Sequence, residues 1–150
     1  MSLTGKLVSQ IEIKSDGDLF YELFRQKPHH LSNVSPDTFQ GVELHEGEWG
    51  VMGSVFFSNY TLDGKEEVAK TIIEAVDEEK RSVTYKVIEG HLLESYKTLS
   101  ITIQADIHGE SNLVTWTIDY EKLNETIPDP NKLIDSALKV TKEIETHYLK

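Results

Sequence analysis

Hydrophobic and polar residues alternate along most of the chain, and a period of two is typical of half-buried β-strands. The segments with this pattern are 7–14, 38–45, 55–61, 66–77, 82–88, 99–107 and 114–120. A helix is the alternative in 66–77, but β-branched residues and the preceding hairpin signal at 62–65 favour a strand. Because short turns such as 45–54 and 108–112 separate consecutive strands, the sequence predicts an antiparallel meander of six or seven strands.

Helical spacing occurs in two other places. Apolar residues over 19–24 predict a helix of two or three turns that Pro28 ends, and a second short helix fits 29–34. From Pro130 to about Leu149, apolar side chains recur every three or four positions, which predicts a helix of about five turns. The fold class is therefore α+β.

The apolar face of such a sheet needs a cover, and the long helix is the main candidate. A helix about 10 Å wide does not fill the concave side of a curled six-stranded sheet. One interpretation is therefore an internal cavity that opens near the short helices, and the other is a fully packed core, which the pattern alone favours. The side chains predicted to face the interior are Tyr85, Ile101, Ile103, Trp116 and Ile118 from the strands and Leu138 and Thr141 from the helix.

Composition narrows the classes of partner. The 150 residues include 26 Asp and Glu against 15 Lys and Arg, a formal net charge of −11 that repels nucleic-acid backbones and anionic membrane surfaces. The chain has no cysteine, which excludes disulfides, thiolate catalysis and cysteine-ligated zinc. We therefore expect no nucleic-acid partner and no membrane insertion. We expect the protein to be a monomer, and a weak dimer is the alternative.

Length and the N-terminal residues set two further expectations. A chain of 150 residues predicts a single domain over 1–150. The N-terminus shows no apolar segment of the kind found in secretory signals, so we expect a cytoplasmic location.

Three polar features are candidates for chemistry. The glycines of 47–53 resemble a phosphate cradle, but the turn lacks a nucleotide-binding Gly-Lys-Ser/Thr ending and Glu46 and Glu48 flank it, so a rigid turn is favoured. The histidines lack metal-ligand spacing, and we expect no metal or cofactor. His147 lies on the apolar stripe of the long helix, either as a helix-end residue or as a polar anchor for a ligand carboxylate or phosphate.

Four segments carry a resemblance to a known family: Leu44–Gly50, Gly53–Val55, Lys86–Gly90 and Val114–Glu125. They are similar to segments of the plant major latex proteins, which belong to the superfamily of the birch-pollen allergen Bet v 1 and the pathogenesis-related class-10 proteins. The resemblance extends from Thr4 through the C-terminal helix. It implies a seven-stranded curved sheet wrapped around a long C-terminal helix, with two short helices after strand 1.

The resemblance also implies a large hydrophobic cavity that binds amphiphilic molecules such as fatty acids, lysolipids, sterols, flavonoids or hormones, and a role in defence or stress. It favours the cavity over the packed core. The ligand-binding residues that we predict are Phe20, Leu31, Phe57, Tyr85, Ile101, Ile103, Trp116, Leu138, Thr141 and His147. Whether Phe56 or Phe57 faces the cavity depends on a one-residue register and stays open.

Binding, carriage or buffering of a small molecule is the function that these features favour, and two other classes are alternatives. The superfamily includes alkaloid-forming enzymes such as norcoclaurine synthase, which use a pocket lysine. Here Lys70, Lys86, Lys139 and Lys142 fall beside the apolar stripes or on the other strand face, so we expect a non-enzyme. A ligand-gated regulatory protein needs a closing loop, and no proline-bearing gate occurs in 66–70 or 88–93.

Overall fold

In the computed structural model, which describes residues 3–108 and 111–148, seven antiparallel strands form one sheet. The strands are β1 Thr4–Ile13, β2 Phe39–Glu46, β3 Val55–Leu62, β4 Lys65–Asp77, β5 Ser82–Gly90, β6 Tyr96–His108 and β7 Ser111–Lys122. Their order in the sheet is β1-β7-β6-β5-β4-β3-β2, so β2 to β7 form a meander and β1 pairs with the last strand. The predicted meander is confirmed, including the choice of strand for 66–77.

Three helices accompany the sheet: α1 Gly17–Arg25, α2 Leu31–Val34 and α3 Asn131–Tyr148. A 3-10 turn at Pro28–His30 leads into α2, so the predicted second helix is a 3-10 turn followed by one α-helical turn. Asp16 caps α1 by accepting the amide of Asp18 at 2.8 Å. The tip of the turn 108–112 and the predicted helix end at Leu149 lie outside the residues described.

The register of the central strands decides which residues face inward. Tyr85 of β5 pairs with Ile101 of β6, Ile101 pairs with Ile118 of β7, and Ile103 pairs with Trp116. Residues directly opposite each other point to the same side of a sheet. The predicted interior set of the strands is therefore brought together on one face.

Helix α3 covers that face, burying Ile134, Val140, Thr141 and Ile144. The last turns of α3 are hydrogen bonded to the segment that precedes α1 and to the residue that follows α2. The Glu143 carboxylate accepts the Ser35 hydroxyl at 2.7 Å, and the Glu145 carboxylate accepts the amides of Lys14 and Ser15. Among the described residues, no helix has both the length and the apolar character needed to cross a bilayer.

Candidate ligand-binding site

The space between the sheet and the helices contains two adjoining apolar voids of about 130 Å³ each. The void that we call the α3 void is bounded on one side by Leu133, Ala137 and Val140 of α3. The other, the α1–α2 void, is bounded by Phe24 of α1 and Leu31 of α2. Five residues line both voids and separate them: Phe39, Ser58, Thr71, Ile101 and Trp116.

The size of the voids limits what they hold as they stand. An apolar protein cavity of about 150 Å³ is large enough for benzene, whereas sites for drug-sized ligands measure about 300–1,000 Å³. Each void therefore matches a molecule of about one ring. Side chains that border both voids, such as Trp116 and Phe39, stand between them, and the single large cavity implied by the resemblance stays a prediction.

The walls of both voids are uncharged. Their polar groups are the hydroxyls of Ser58 and Thr71, shared by the two voids, and others such as those of Tyr60 and Tyr85 that line one void each. Burial, and to a lesser extent the Glu67 carboxylate, raises the pKa of Tyr60 to about 12. Burial likewise raises the pKa of Tyr85. Both phenols are therefore neutral hydrogen-bond donors at physiological pH.

Two of the polar groups in the walls are already hydrogen bonded within the protein. The Tyr85 hydroxyl donates to the carbonyl oxygen of Phe24, which ties β5 to α1. The Trp116 indole Nε1 donates to the Thr141 hydroxyl at 2.8 Å, and that hydroxyl donates to the Ala137 carbonyl at 2.9 Å. The bonds through Thr141 fix the ring of Trp116 and leave its flat apolar surface toward the voids.

Of the ten residues predicted for ligand binding, five line a void: Leu31, Tyr85, Ile101, Ile103 and Trp116. Two more are fully buried beside them. Phe20 packs on Phe24 with ring centroids 5.1 Å apart, and Thr141 holds Trp116. These two residues support the walls from behind and do not contribute to their surface.

The structure contradicts the inward placement of Phe57. Phe56 is the buried member of the pair and lines the α1–α2 void, whereas Phe57 lies on the other face of the sheet beside Lys70 and Glu89. The prediction was wrong by one residue because both residues are apolar, so the alternation gives no parity at this point.

Leu138 and His147 line neither void. Both border an open groove along the flank of α3 beside Asn33 and Val34 of α2, which we call the outer groove, and Leu138 also packs against the core. The apolar stripe of α3 spans a wide arc, and the helix is rotated so that Leu133, Ala137 and Val140 take the inner positions. His147 is exposed, and an anchoring role for it stays a prediction that concerns the outer groove alone.

Some wall residues were missed by the sequence analysis, notably Phe39, Ser58, Tyr60 and Thr71. Ser58 and Tyr60 follow Phe56 at intervals of two, so fixing Phe56 as inward would have placed both on the inner face. No comparable signal exists for Phe39, because β2 is bulged between Phe39 and Gly41.

The glycine-rich turn closes on itself. Gly47 has a φ of 89°, and a Cβ there would lie 2.3 Å from the Ser54 hydroxyl. That hydroxyl accepts the Glu48 amide at 2.9 Å, and the Gly53 and Ser54 amides donate to the carbonyls of Ile73 and Val51. The amides of Glu48, Gly53 and Ser54 are therefore already bonded, which favours a rigid structural turn over an anion-binding nest.

Aromatic rings extend the wall of the α1–α2 void toward this turn. Trp49 stacks on Phe56 with centroids 5.1 Å apart, and His29 packs against the other side of Trp49 at 4.1 Å. Burial, with the nearby charges of His30 and Lys27, lowers the pKa of His29, so its ring is neutral at pH 7. Within 3–108 and 111–148, no three His, Asp, Glu or Cys side chains cluster in a way that could hold a metal ion.

Comparison with known proteins agrees with this fold. The sequence model of the pathogenesis-related protein Bet v 1 family matches residues 2–150. MLP-like protein 28 of Arabidopsis thaliana is 45% identical over 150 residues, which are 99% of this chain and 45% of that protein, so the chain spans about half the length of this relative. The chain belongs to the Bet v 1 family, in the group of the plant major latex proteins.

Solved structures place it in the same group. The crystal structure of ginseng major latex-like protein 151 from Panax ginseng is similar with a TM-score of 0.97 and 54% identity, covering 99% of both chains. Norcoclaurine synthase from Thalictrum flavum, in complex with dopamine and hydroxybenzaldehyde, has a TM-score of 0.72 at 19% identity, covering 97% of this chain and 89% of that one. The second likeness concerns the fold alone.

Proposed function

We propose that this chain binds small, neutral hydrophobic molecules of about one ring in the α3 void and the α1–α2 void, and carries or buffers them as part of a plant defence or stress response. The observation that carries the proposal is the pair of apolar voids with uncharged walls between the sheet and the helices. A norcoclaurine synthase of the same fold is complexed with dopamine and hydroxybenzaldehyde, which are ligands of this size.

Uncharged walls favour neutral ligands over anionic ones. A carboxylate or phosphate moved into these voids would lose its hydration without gaining a charged partner, which costs several kcal/mol or more. A fatty acid or lysolipid would therefore have to keep its head group outside, where the outer groove offers Lys139, Lys142 and His147. A long acyl chain or sterol would also need the walls to move apart, since each void holds about 130 Å³.

We expect binding to be weak and permissive. A Kd on the order of 0.1 mM corresponds to about 5.5 kcal/mol, or about 0.6 kcal/mol for each non-hydrogen atom of α-methylstyrene, which is well below the ceiling of about 1.5 kcal/mol per atom for the best small ligands. Because the apolar walls make few hydrogen bonds to a ligand, several ring compounds of similar volume should bind with similar affinity.

Binding without turnover is the proposal, because the titratable groups among the void-lining residues are phenols. The pKa values of Tyr60 and Tyr85 are both raised, so neither is a base near pH 7. The lysines that a Schiff-base or acid–base mechanism would use are elsewhere: Lys70 pairs with Glu89 at 2.6 Å on the outer face of the sheet.

Filling the voids tests the proposal. Ser58 lines both voids, so Ser58→Phe places a ring in the shared space, while Asn59→Phe puts the same ring on the exposed face of the same strand. Isothermal titration with α-methylstyrene should show saturable binding with a negative heat-capacity change in the natural chain and in Asn59→Phe. We expect Ser58→Phe to abolish binding without lowering the melting temperature by more than a few degrees.

The proposal fails if the natural chain binds none of the single-ring compounds at millimolar concentration. It also fails if folded Ser58→Phe binds them as the natural chain does. Conversion of a compound to a product during the titration, detected by mass spectrometry, would favour an enzyme.

A further inference from the structure

The Tyr60 hydroxyl is buried in the wall of the α3 void without a hydrogen-bond partner among the described residues. Tyr60 is 8% exposed, and its phenol oxygen is buried with no hydrogen-bond partner among the residues described. A buried polar group in this state costs free energy relative to one that is paired. Tyr60 lines the α3 void, so its ring borders space that a ligand can occupy.

The neighbouring groups make this hydroxyl different from the others in the site. The Tyr85 hydroxyl and the Trp116 indole are both committed to bonds within the protein. Ser58, two residues before Tyr60 on β3, and Thr71 of β4 add hydroxyls to the same stretch of wall. The strand side of the α3 void therefore carries the unpaired Tyr60 hydroxyl together with the hydroxyls of Ser58 and Thr71 in otherwise apolar walls.

The charge state of the phenol is fixed by its surroundings. Glu67 is directly opposite Tyr60 in the β3–β4 pairing, and its side chain is 14% exposed. Its negative charge and the burial of the ring both oppose ionisation, so the phenol keeps its proton. A protonated phenol beside a carboxylate favours an uncharged acceptor, since an anionic ligand would be repelled by Glu67.

We propose that Tyr60 is the polar anchor of the α3 void and donates its hydroxyl proton in a hydrogen bond to a neutral oxygen, a carbonyl or hydroxyl, on a single-ring ligand. This inference rests on the proposed function and adds the ligand class and the residue that recognises it. Oxygenated ring compounds such as aromatic ketones and phenols are then preferred over hydrocarbons of the same shape.

A matched pair of probes separates the hydrogen bond from the apolar contact. Acetophenone and α-methylstyrene have the same shape, and they differ by an oxygen in place of a methylene group. Isothermal titration of both probes should show acetophenone binding better to the natural chain. Tyr60→Phe removes only the hydroxyl, and we expect it to weaken acetophenone about three- to tenfold, the usual net effect of one hydrogen bond. Its affinity for α-methylstyrene should stay within about twofold.

Tyr96→Phe is the matched control. The Tyr96 hydroxyl is also buried within the sheet, but it donates to the Pro128 carbonyl at 2.6 Å and lines neither void. Its loss should leave the affinities for both probes unchanged. Tyr60→Phe should melt no lower than the natural chain, because no bond within the protein is lost.

The outcomes distinguish this inference from the proposed function. If both probes bind and Tyr60→Phe weakens both equally or neither, the anchor is refuted while binding in the voids stands. If neither probe binds the natural chain, the proposed function fails and the anchor with it. Selective loss of acetophenone affinity in Tyr60→Phe alone supports both.

Discussion

Two regions of the interior use tyrosine side chains but satisfy their hydroxyls differently. Beside the β7–α3 connection, Tyr96 and Tyr120 meet with ring centroids 5.9 Å apart, and the Tyr120 hydroxyl donates to the Asp129 carboxylate at 2.7 Å. Lys122 completes this group with an ion pair to Asp129 at 2.9 Å. Across the sheet, on β3, Tyr60 borders the α3 void, and its hydroxyl has no partner among the described residues.

The contrast separates a region that is held by hydrogen bonds from the region where we propose binding. Buried hydroxyls are normally paired because an unpaired one is costly. Beside the β7–α3 connection that rule holds for Tyr96 and Tyr120, and the hydrogen bonds fix the connection into α3. The rule is broken at Tyr60 beside the α3 void, and also at Ser15 and Tyr21, which line neither void. At Tyr60 we propose that a ligand supplies the missing partner.

The largest expected difference between the two regions concerns core truncation. Leu99 is fully buried opposite Tyr120 and borders no void, whereas Ile101, two residues along the same strand, borders both. Leu99→Ala should cost about 3–4 kcal/mol in the free energy of unfolding, and Ile101→Ala about 2 kcal/mol, because one side of Ile101 already lacks neighbours. Denaturant titration measures both, and an equal or larger loss for Ile101→Ala would contradict the account.

A buried hydrogen bond gives the next largest effect. Thr141 is fully buried and accepts the Trp116 indole proton, so Thr141→Val leaves that donor unpaired. We expect a loss of about 2 kcal/mol in the free energy of unfolding. Combining Thr141→Val with Trp116→Phe should cost less than the sum of the two single changes, because the second change removes the orphaned donor. Strict additivity would show that this bond does not hold the wall.

Removing single phenol hydroxyls should give a smaller effect that differs between the two regions. Tyr96→Phe should lower the free energy of unfolding by about 1 kcal/mol, since it leaves the Pro128 carbonyl unpaired. Tyr60→Phe should change it by about 0 kcal/mol or raise it slightly, since no bond is lost. A larger loss for Tyr60→Phe than for Tyr96→Phe would mean that Tyr60 has a structural partner.

The smallest effect is a dependence of the free energy of unfolding on pH, through Asp129 beside the β7–α3 connection. Hydrogen bonds from Lys122 and Tyr120 lower the pKa of Asp129 below its usual value near 3.8. A lowered pKa means that the folded state holds the proton less tightly, so this stabilisation is complete above the usual value and is lost as the pH falls through the lowered one. Asp129→Asn should therefore be less stable than the natural chain at pH 7, and the gap should close on acidification. Denaturation midpoints from pH 7 to pH 2.5 measure the gap, and a constant gap would contradict this assignment.

Sequence patterning predicted the framework and the inward residues wherever alternation was strict. Ile101, Ile103 and Trp116 lie on strands in which every second residue is apolar, so their face follows from parity. Where two adjacent residues are both apolar, as at Phe56 and Phe57, the alternation does not show which of them faces inward, and the inward placement of Phe57 was wrong. The rotation of α3, which moves Leu138 to the outer groove, depends on packing between distant segments and has no local signal.

The size of the voids and the unpaired hydroxyl were beyond prediction for a related reason. Void volume is a small difference between the space enclosed by the sheet and the volume of the side chains that fill it, and single rings such as Trp116 change it greatly. The lack of a partner for Tyr60 depends on the positions of every neighbouring polar group. Neither quantity is encoded in spacing along the chain.

The most direct test locates a bound probe by NMR. With α-methylstyrene added to the isotope-labelled chain, the account predicts intermolecular NOEs to the Ile101 methyl groups and the Trp116 ring, the side chains shared by both voids. NOEs confined to Leu138 and Val34 in the outer groove, or none at saturating probe, would contradict the claim that the interior of this fold is the binding site.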